Sequence, residues 1–313
     1  MKRMLLAVLT DEIYSNKFSD YISHHKNMLI DLVIFTSIDS AGEYVEHGKI
    51  DIFLVNDDMA YEAGKLKNIK KIIVLSDGGY TGKKEYPVIF KYQPAGHILK
   101  EIFAQAAEDD NIPGMFPAYT SRQAELSAVF SPYGGAGAST YARKLCASMA
   151  GNNNVLYINL EIFDSFAEFE NNAGGREYIH GMSEAIYYIK QKKDKLAFKL
   201  ESVIKHHKDG YSYILPVEDY RDLYSISADD MEYFTDVLAR GMMYDKIVFD
   251  TGYINEAALK LFGICDVLIL PKASGELQEN KQHSFERLLI RNGMDKVVQN
   301  IKYVIMKERW ASN

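Results

Sequence analysis

The sequence predicts an α/β protein with a parallel sheet in each half of the chain. Three observations support this fold class. Short apolar strands alternate with amphipathic helices in the first part of the chain, a stretch with two prolines then interrupts the alternation, and a glycine-rich turn opens a second series of strands and helices. The length of 313 residues is enough for two domains of ordinary size.

The first domain is predicted over residues 1–107, with a flavodoxin-like parallel sheet. Strand-length apolar runs lie at residues 5–9, 31–36, 52–55, 71–75 and 88–90. Helical patterns lie at residues 13–24, 41–47 and 97–107. Because the strands alternate with helices, we expect them to run parallel in the flavodoxin-like order 2-1-3-4-5.

The second domain is predicted over residues 125–313, after a linker at residues 108–124 that contains two prolines and a glycine. Its strands are expected at residues 127–130, 155–160, 213–215, 246–249, 267–270 and 303–306. Helices are expected at residues 141–150 and, as one long helix, at 184–207. This alternation again favours a parallel sheet.

The net charge and the apolar content of the chain exclude some classes of binding partner. The chain has 36 Lys and Arg against 43 Asp and Glu, which gives a net charge of −7. Broad attraction to nucleic acid or to an anionic lipid surface is therefore not expected. No apolar run approaches the roughly 18 residues of a membrane helix, so direct membrane insertion is not expected either. We expect a cytoplasmic protein without a signal peptide.

The main functional motif is the stretch 131–140, which reads Ser-Pro-Tyr-Gly-Gly-Ala-Gly-Ala-Ser-Thr between a strand and a helix. Backbone N–H groups of such a glycine-rich turn can surround phosphate oxygens. A phosphate-binding loop also carries a lysine just before its Ser/Thr, and here Ala138 stands at that place. The predicted nucleotide-binding loop residues are Gly134, Gly135, Ala136, Gly137, Ala138, Ser139 and Thr140.

Two further strand ends are predicted to complete this site. Asp250 stands at the end of an apolar strand. In proteins with a phosphate-binding loop, an acid at such a strand end holds magnesium or orients the attacking water. Asn159 and Glu161 stand at the end of strand 155–160, where a plain polar strand end is an equally good interpretation. Magnesium is expected at Ser139 and Asp250 only together with a nucleotide.

Loss of the loop lysine weakens the expected binding of ATP. A hydrogen bond to a charged group contributes about 1.5–3 kcal/mol, so its loss lowers triphosphate affinity by roughly 10- to 150-fold. Catalysis suffers more, because phosphoryl transfer depends on positioned positive charge. We expect weak binding of ATP with magnesium and little or no hydrolysis, as in a pseudo-ATPase.

Four strings, GGAGAST, NVLYINLE, YDKIVFDTG and CDVLILP, resemble the MinD/ParA superfamily, and within it the TadZ/CpaE branch. That branch combines an atypical receiver-like domain with a MinD/ParA-like domain, so the resemblance covers the whole chain. In MinD-type loops a signature lysine reaches across a dimer to the nucleotide of the partner; Tyr133 occupies its place here. We expect the aromatic ring to add apolar surface to a dimer interface.

The resemblance also implies a receiver-like pocket in the first domain. Its expected residues are Asp11, Glu12, Asn56, Ser76 and Lys91. Asn56 falls at the phosphoacceptor position, and an amide cannot accept phosphate. Asp57 follows it, but a shift of one residue along a strand points the side chain to the other face. A dimerisation or docking module is therefore favoured over a phosphoryl switch.

Taken with the resemblance, these residues predict a localisation and assembly factor for a tight-adherence (Flp-type) pilus. The resemblance implies a homodimer, with pilus secretion machinery or a polar landmark protein as partner, at the cell pole or the inner membrane face. Two alternatives stay open: an active ParA/MinD-type ATPase in positioning or partitioning, and a receiver-type signalling protein. Ala138 and Tyr133 weigh against the first, and Asn56 weighs against the second.

Overall fold

The chain folds into two compact units. The first unit contains Met1–Tyr119 and Asp194–Ser202, and the second contains Thr120–Lys193 and Val203–Asn313. The computed structural model describes residues 3–24, 29–78, 85–112, 114, 124–163, 181–217 and 219–305. Most of the predicted linker and the end of the predicted strand at 303–306 lie outside the described residues.

The first unit is built on a five-stranded parallel sheet in the order β2-β1-β3-β4-β5, as the sequence predicts. Its strands are β1 (Met4–Leu9), β2 (Ile30–Ile34), β3 (Ile50–Asn56), β4 (Ile69–Ser76) and β5 (Val88–Phe90). The central strand β3 is buried at every position before Asn56. This continuous burial is typical of an inner strand of a parallel sheet, which has no solvent-facing side.

Helices α1 to α4 belong to this unit; α1, α2 and α4 agree with the predicted helical patterns, and the short α3 was not predicted. They are α1 (Glu12–His24), α2 (Ile38–His47), α3 (Ala60–Ala63) and α4 (Ala95–Glu108). Helix α2 begins after Ser37, whose side chain accepts a hydrogen bond from the Ser40 N–H in a capping box. Helix α4 buries Ile98, Ile102 and Phe103 along one face, which is the helical spacing of an amphipathic stripe.

The second unit is built on a seven-stranded sheet in the order β12-β11-β6-β10-β7-β9-β8. Its strands are β6 (Glu125–Phe130), β7 (Val155–Leu160), β8 (Lys205–His206), β9 (Ser212–Ile214), β10 (Lys246–Thr251), β11 (Val267–Pro271) and β12 (Ile301–Val304). All neighbours run parallel except β8 and β9, so the prediction of a purely parallel sheet is wrong at this edge. A tight turn closed by Gly210, with φ +89°, makes β8 and β9 a hairpin.

The remaining helices are α5 (Ala138–Met149), α6 (Met182–Lys190), α7 (Leu196–Val203), α8 (Tyr220–Ser225), α9 (Ala228–Asp236), α10 (Glu256–Ile264), α11 (Glu276–Arg291) and α12 (Asp295–Gln299). The single long helix predicted at 184–207 is wrong, because α6 and α7 are separate. Lys192 lies between them with φ +46°, a left-handed conformation in which a right-handed helix cannot continue.

Most of α7 belongs to the first unit, although the sequence assigned it to the second domain. Phe198 is 1% exposed, and its ring stacks on Phe103 of α4 with 6.1 Å between the ring centroids. The Lys195 ammonium donates a hydrogen bond to the Asp109 carbonyl and lies 3.7 Å from the Asp110 carboxylate. The apolar side of this segment therefore forms part of the first unit's core.

No helix among the described residues combines the length and the apolar character that crossing a lipid bilayer requires.

Candidate functional site

The second unit brings three of the predicted strand ends to one edge of its sheet. Strand β10 lies between β6 and β7, and all three run parallel. Asp250 of β10 is in register with Val129 of β6 and Asn159 of β7. The loop after β6, the end of β7 and Asp250 are therefore neighbours at the carboxyl edge, where open parallel sheets bind ligands.

The glycine-rich loop has the backbone conformation that its glycines allow. Gly135 has φ +73° and Gly137 has φ +80°, and Gly137 directly precedes helix α5. A methyl group added at Gly134 or Gly135 would meet no atom within 4 Å, so the space beside these two residues is open. Because the first N–H groups of α5 have no partner within the helix, they can bind an anion placed above the loop.

Positive charge is missing from the loop itself. Residues 131–140 contain no Lys or Arg, and Ala138 forms the first turn of α5 together with Ser139 and Thr140. Ala136, Ala138 and Ser139 are half-buried, and Thr140 is exposed. Backbone N–H groups and hydroxyl groups, and no side-chain cation, are the phosphate-binding groups that the loop offers.

Asp250 lies behind the loop, fully buried. The Ser139 hydroxyl lies 3.4 Å from Asp250 Oδ1, and the Tyr157 hydroxyl donates a 2.6 Å hydrogen bond to Oδ2. Burial, together with the nearby carboxylate of Glu161, raises the pKa of Asp250 to about 7, although the hydrogen bonds from Tyr157 and Ser139 favour its ionised form. The pKa of Tyr157 is also raised, first by burial and then by the Asp250 charge.

The polar residues at the end of β7 are joined by a hydrogen bond. Asn159 is buried, and its Oδ1 accepts a 2.8 Å hydrogen bond from the Glu161 N–H. Gly252 approaches this turn so closely that an added methyl group would lie 3.0 Å from Glu161 Cγ. The turns after β7 and β10 therefore meet, which places the Glu161 charge near Asp250.

Ser139 and Asp250 fit the magnesium ion predicted for this site. Within the described ranges, no group of three or more His, Cys, Asp or Glu side chains is arranged to hold a metal ion. Magnesium is commonly held by few protein oxygens together with water and substrate phosphates. The Ser139 hydroxyl and the Asp250 carboxylate, 3.4 Å apart, are oxygens of that kind, and a cation would favour the ionised form of Asp250.

The prediction that the Tyr133 ring contributes to a dimer interface is wrong. Tyr133 is 5% exposed, and its hydroxyl donates a 2.7 Å hydrogen bond to the Pro271 carbonyl at the end of β11. Burial raises the pKa of Tyr133. Because the ring is enclosed within its own unit, it offers no apolar surface to a second chain.

Tyr157 was missed by the sequence analysis, although the sequence contains a signal for it. Side chains two residues apart in a strand lie on the same face, so Tyr157 shares a face with Asn159 in β7. A tyrosine in a buried strand needs a partner for its hydroxyl. That partner is Asp250, on the neighbouring strand β10.

The first unit brings together most residues of the predicted receiver-like pocket. The Lys91 ammonium lies 2.6 Å from Asp11 Oδ2 and 3.0 Å from Asn56 Oδ1, and 4.9 Å from the centroid of the Tyr14 ring. The hydrogen bond from Lys91 lowers the pKa of Asp11. Glu12 is the first residue of α1 and is exposed. The lysine therefore already has an acid and an amide as partners.

Asp57 and Ser76 form a second pair in this pocket. Strand β3 ends at Asn56, and Asp57 begins a 3₁₀ turn. The Ser76 hydroxyl donates a 3.0 Å hydrogen bond to Asp57 Oδ2 and accepts one from the Gly78 N–H at 3.2 Å. The alternation of a strand does not extend to Asp57, which is why the sequence did not place it beside Ser76.

We predict that Asp250→Asn changes how stability depends on pH. Because the pKa of Asp250 rises from its ordinary 3.8 to about 7 on folding, the folded protein holds a proton that the unfolded chain releases. The free energy of unfolding of the metal-free protein should therefore fall as the pH rises from about 4 to about 7. The variant lacks this loss and should gain stability relative to the wild type over that window, as measured by urea unfolding. A constant difference across the window would contradict the prediction.

Several solved structures are similar to this chain. A putative plasmid partition protein from Borrelia burgdorferi B31 bound to AMPPNP shares 21% identity over 60% of this chain and 77% of that chain, with a TM-score of 0.45. A ParA family ATPase from Chlorobium tepidum TLS shares 14% identity over 58% and 73%, with a TM-score of 0.45. The kinase domain of the Escherichia coli tyrosine kinase ETK shares 18% identity over 63% and 74%, with a TM-score of 0.40. At these values the similarity assigns no function to this chain.

No protein-family model matches the sequence, and no curated protein matches it.

Proposed function

We propose that the second unit is a nucleotide-binding module of ParA/MinD type that hydrolyses ATP weakly or not at all. The observation that carries this proposal is the open glycine loop before α5, with Ser139 placed 3.4 Å from the buried Asp250. This arrangement offers backbone N–H groups to phosphate and two oxygens to a cation. It lacks a loop cation, so no side chain of the loop itself balances the ligand's negative charge.

Each residue of the site has a role in binding rather than in proton transfer. The N–H groups of residues 134–140 orient the phosphates, and the Ser139 hydroxyl, with Asp250 behind it, holds magnesium. Magnesium supplies the positive charge that the phosphates require when it is bound. Without a lysine at position 138, the developing charge of phosphoryl transfer has no fixed protein cation in the loop. Slow or absent hydrolysis follows from this loss.

The cellular role in the proposal is that of a TadZ/CpaE-like localisation and assembly factor for a tight-adherence pilus. It is supported by the four matching strings and by the two-unit division of the chain. The protein acts as a homodimer and reaches the cell pole or the inner membrane face through pilus secretion machinery or a polar landmark protein.

An active ParA/MinD-type positioning ATPase is the second candidate function, favoured by the retained Ser139 and Asp250. A receiver-type signalling role is disfavoured by Asn56, which contacts Lys91 where a phosphoacceptor would be needed.

A fluorescent ATP analogue with magnesium should bind the chain, and Gly137→Glu should weaken that binding more than tenfold. Glutamate is strained at φ +80° and adds a negative charge at the start of α5. Gly293→Glu is the matched control, because Gly293 also has a positive φ but lies after α11. An unchanged affinity for Gly137→Glu would place the site elsewhere. Phosphate release well above background, abolished by Asp250→Ala, would contradict the loss of hydrolysis.

A fluorescent fusion of the full chain should form a focus at the cell pole, and deletion of the gene should abolish surface pili. The full chain is needed because removal of residues 1–124 would expose the buried face of α7, including Leu196 and Phe198. Imaging of the fusion and counting of surface pili check this prediction. Diffuse fluorescence with unchanged piliation would refute the pilus role. It would not bear on the nucleotide site, which the titration with the ATP analogue tests separately.

A further inference from the structure

We infer that Tyr133 is a positioning residue that fixes the glycine-rich loop to the end of β11 within one chain. Its task is to hold the N–H groups of Gly134 and Gly135 in place before a ligand arrives. The inference rests on the proposed nucleotide-binding function of the loop and adds to it a residue that no phosphate-loop motif requires.

The side chain of Tyr133 links two neighbouring strand ends. Strand β6, which leads into the loop, pairs with β11, whose last residue is Pro271. The Tyr133 hydroxyl crosses from the loop to the Pro271 carbonyl in a buried hydrogen bond of 2.7 Å. A buried hydroxyl without a partner is costly, so this contact fixes where the ring can lie.

The backbone of Tyr133 is held as well. The Ser131 hydroxyl donates a hydrogen bond to the Tyr133 carbonyl and accepts one from its N–H at 3.3 Å. Tyr133 is therefore attached through its side chain, its N–H and its carbonyl. The next two residues, Gly134 and Gly135, are exposed and have open space beside them. Tyr133 is thus the fixed point that immediately precedes the open part of the loop.

A loop that is ordered before binding loses less conformational entropy when the ligand arrives. Tyr133→Phe keeps the buried ring but removes the hydroxyl, so the Pro271 carbonyl loses its donor and the loop gains freedom. One net hydrogen bond corresponds to a weakening of nucleotide binding by about 2- to 10-fold. Because the anchor belongs to the same chain, the affinity should not depend on protein concentration.

The experiment compares wild type, Tyr133→Phe and Tyr233→Phe as full chains. Tyr233→Phe is the matched control, because it also removes a hydrogen bond from a tyrosine hydroxyl to a backbone carbonyl, that of Lys193, but on helix α9. Each protein is titrated with a fluorescent ATP analogue and magnesium at two protein concentrations. Amide hydrogen exchange is followed in residues 131–137 and, as an internal reference, in β10.

The expected result is at least twofold weaker binding by Tyr133→Phe, faster exchange in residues 131–137 alone, and no such change for Tyr233→Phe. If Tyr133→Phe binds like the wild type and its loop exchanges at the same rate, the inference is wrong, although the proposed nucleotide site stands. If no variant binds the analogue, the proposed function fails. Loop exchange then still decides the anchoring: faster exchange in Tyr133→Phe supports it, and unchanged exchange refutes it.

Discussion

Replacing Ala138 with lysine should raise the affinity of the chain for ATP with magnesium by roughly 10- to 150-fold, which is the contribution of one hydrogen bond to a charged group. Ala138 is the first residue of α5 and directly precedes Ser139, so a lysine there starts at the place from which phosphate loops reach the β- and γ-phosphates. The loop itself contains no Lys or Arg that would already supply this charge. Equilibrium titration with a fluorescent ATP analogue measures the gain.

The control for this substitution is Ser148→Lys, which adds the same charge at an exposed position near the other end of α5. It should change the affinity by less than about threefold, because an exposed charge beyond a Debye length is largely screened. Equal gains for both variants would mean that net charge, and not the loop geometry, controls binding. No gain for Ala138→Lys would refute a phosphate-binding role of the loop.

Phe198→Ala should destabilise the first unit by about 3–5 kcal/mol, the usual effect of removing a buried aromatic ring. Phe198 is carried by α7, which lies in sequence among the elements of the second unit, yet its ring packs on Phe103 of α4. The loss removes apolar burial and leaves a cavity inside the first unit. Urea unfolding followed by hydrogen exchange in β1 and β3 measures it.

Phe90→Ala is the matched control in the same unit, because Phe90 is 48% exposed on the edge strand β5. Its removal should lower the free energy of unfolding by less than about 1.5 kcal/mol. Equal losses for the two variants would show that α7 is not part of the first unit's core. A loss for Phe198→Ala confined to exchange in β6 and β10 would lead to the same conclusion.

Most strands, and the strand order of the first sheet, were readable from local pattern. Continuous apolar runs such as 52–55 and 247–249 belong to the inner strands β3 and β10, and helical spacing identified α4. The failures have local causes as well. Lys192 adopts a left-handed conformation, which its residue type does not predict. The hairpin at Gly210 contains strand β8, where the sequence predicted the end of a helix. Neither feature changes hydrophobic periodicity enough to be seen in the sequence.

Some residues of the candidate site were likewise predictable from the sequence, and others were not. Spacing along the chain indicated the loop at 131–140 and Asp250, because both are defined by a strand followed by particular residue types. It did not indicate that both Tyr157 and Ser139 would form a hydrogen bond with the Asp250 carboxylate. It also did not indicate that Ser76 would donate a hydrogen bond to Asp57. These partners come from different strands and helices, so only sheet register and turn geometry could bring them together.

By itself, the sequence determined the α/β class, the parallel strands of both sheets apart from the β8–β9 edge, and the lysine-free glycine loop. Each follows from residue type and spacing over fewer than about 20 positions. Only the tertiary structure decided that α7 completes the first unit and that Tyr133 is buried against Pro271. Both outcomes depend on contacts between residues more than 80 positions apart, Phe198 with Phe103 and Tyr133 with Pro271. An apolar helix face or an aromatic ring buries itself wherever complementary surface is available, and the sequence does not specify where that surface lies.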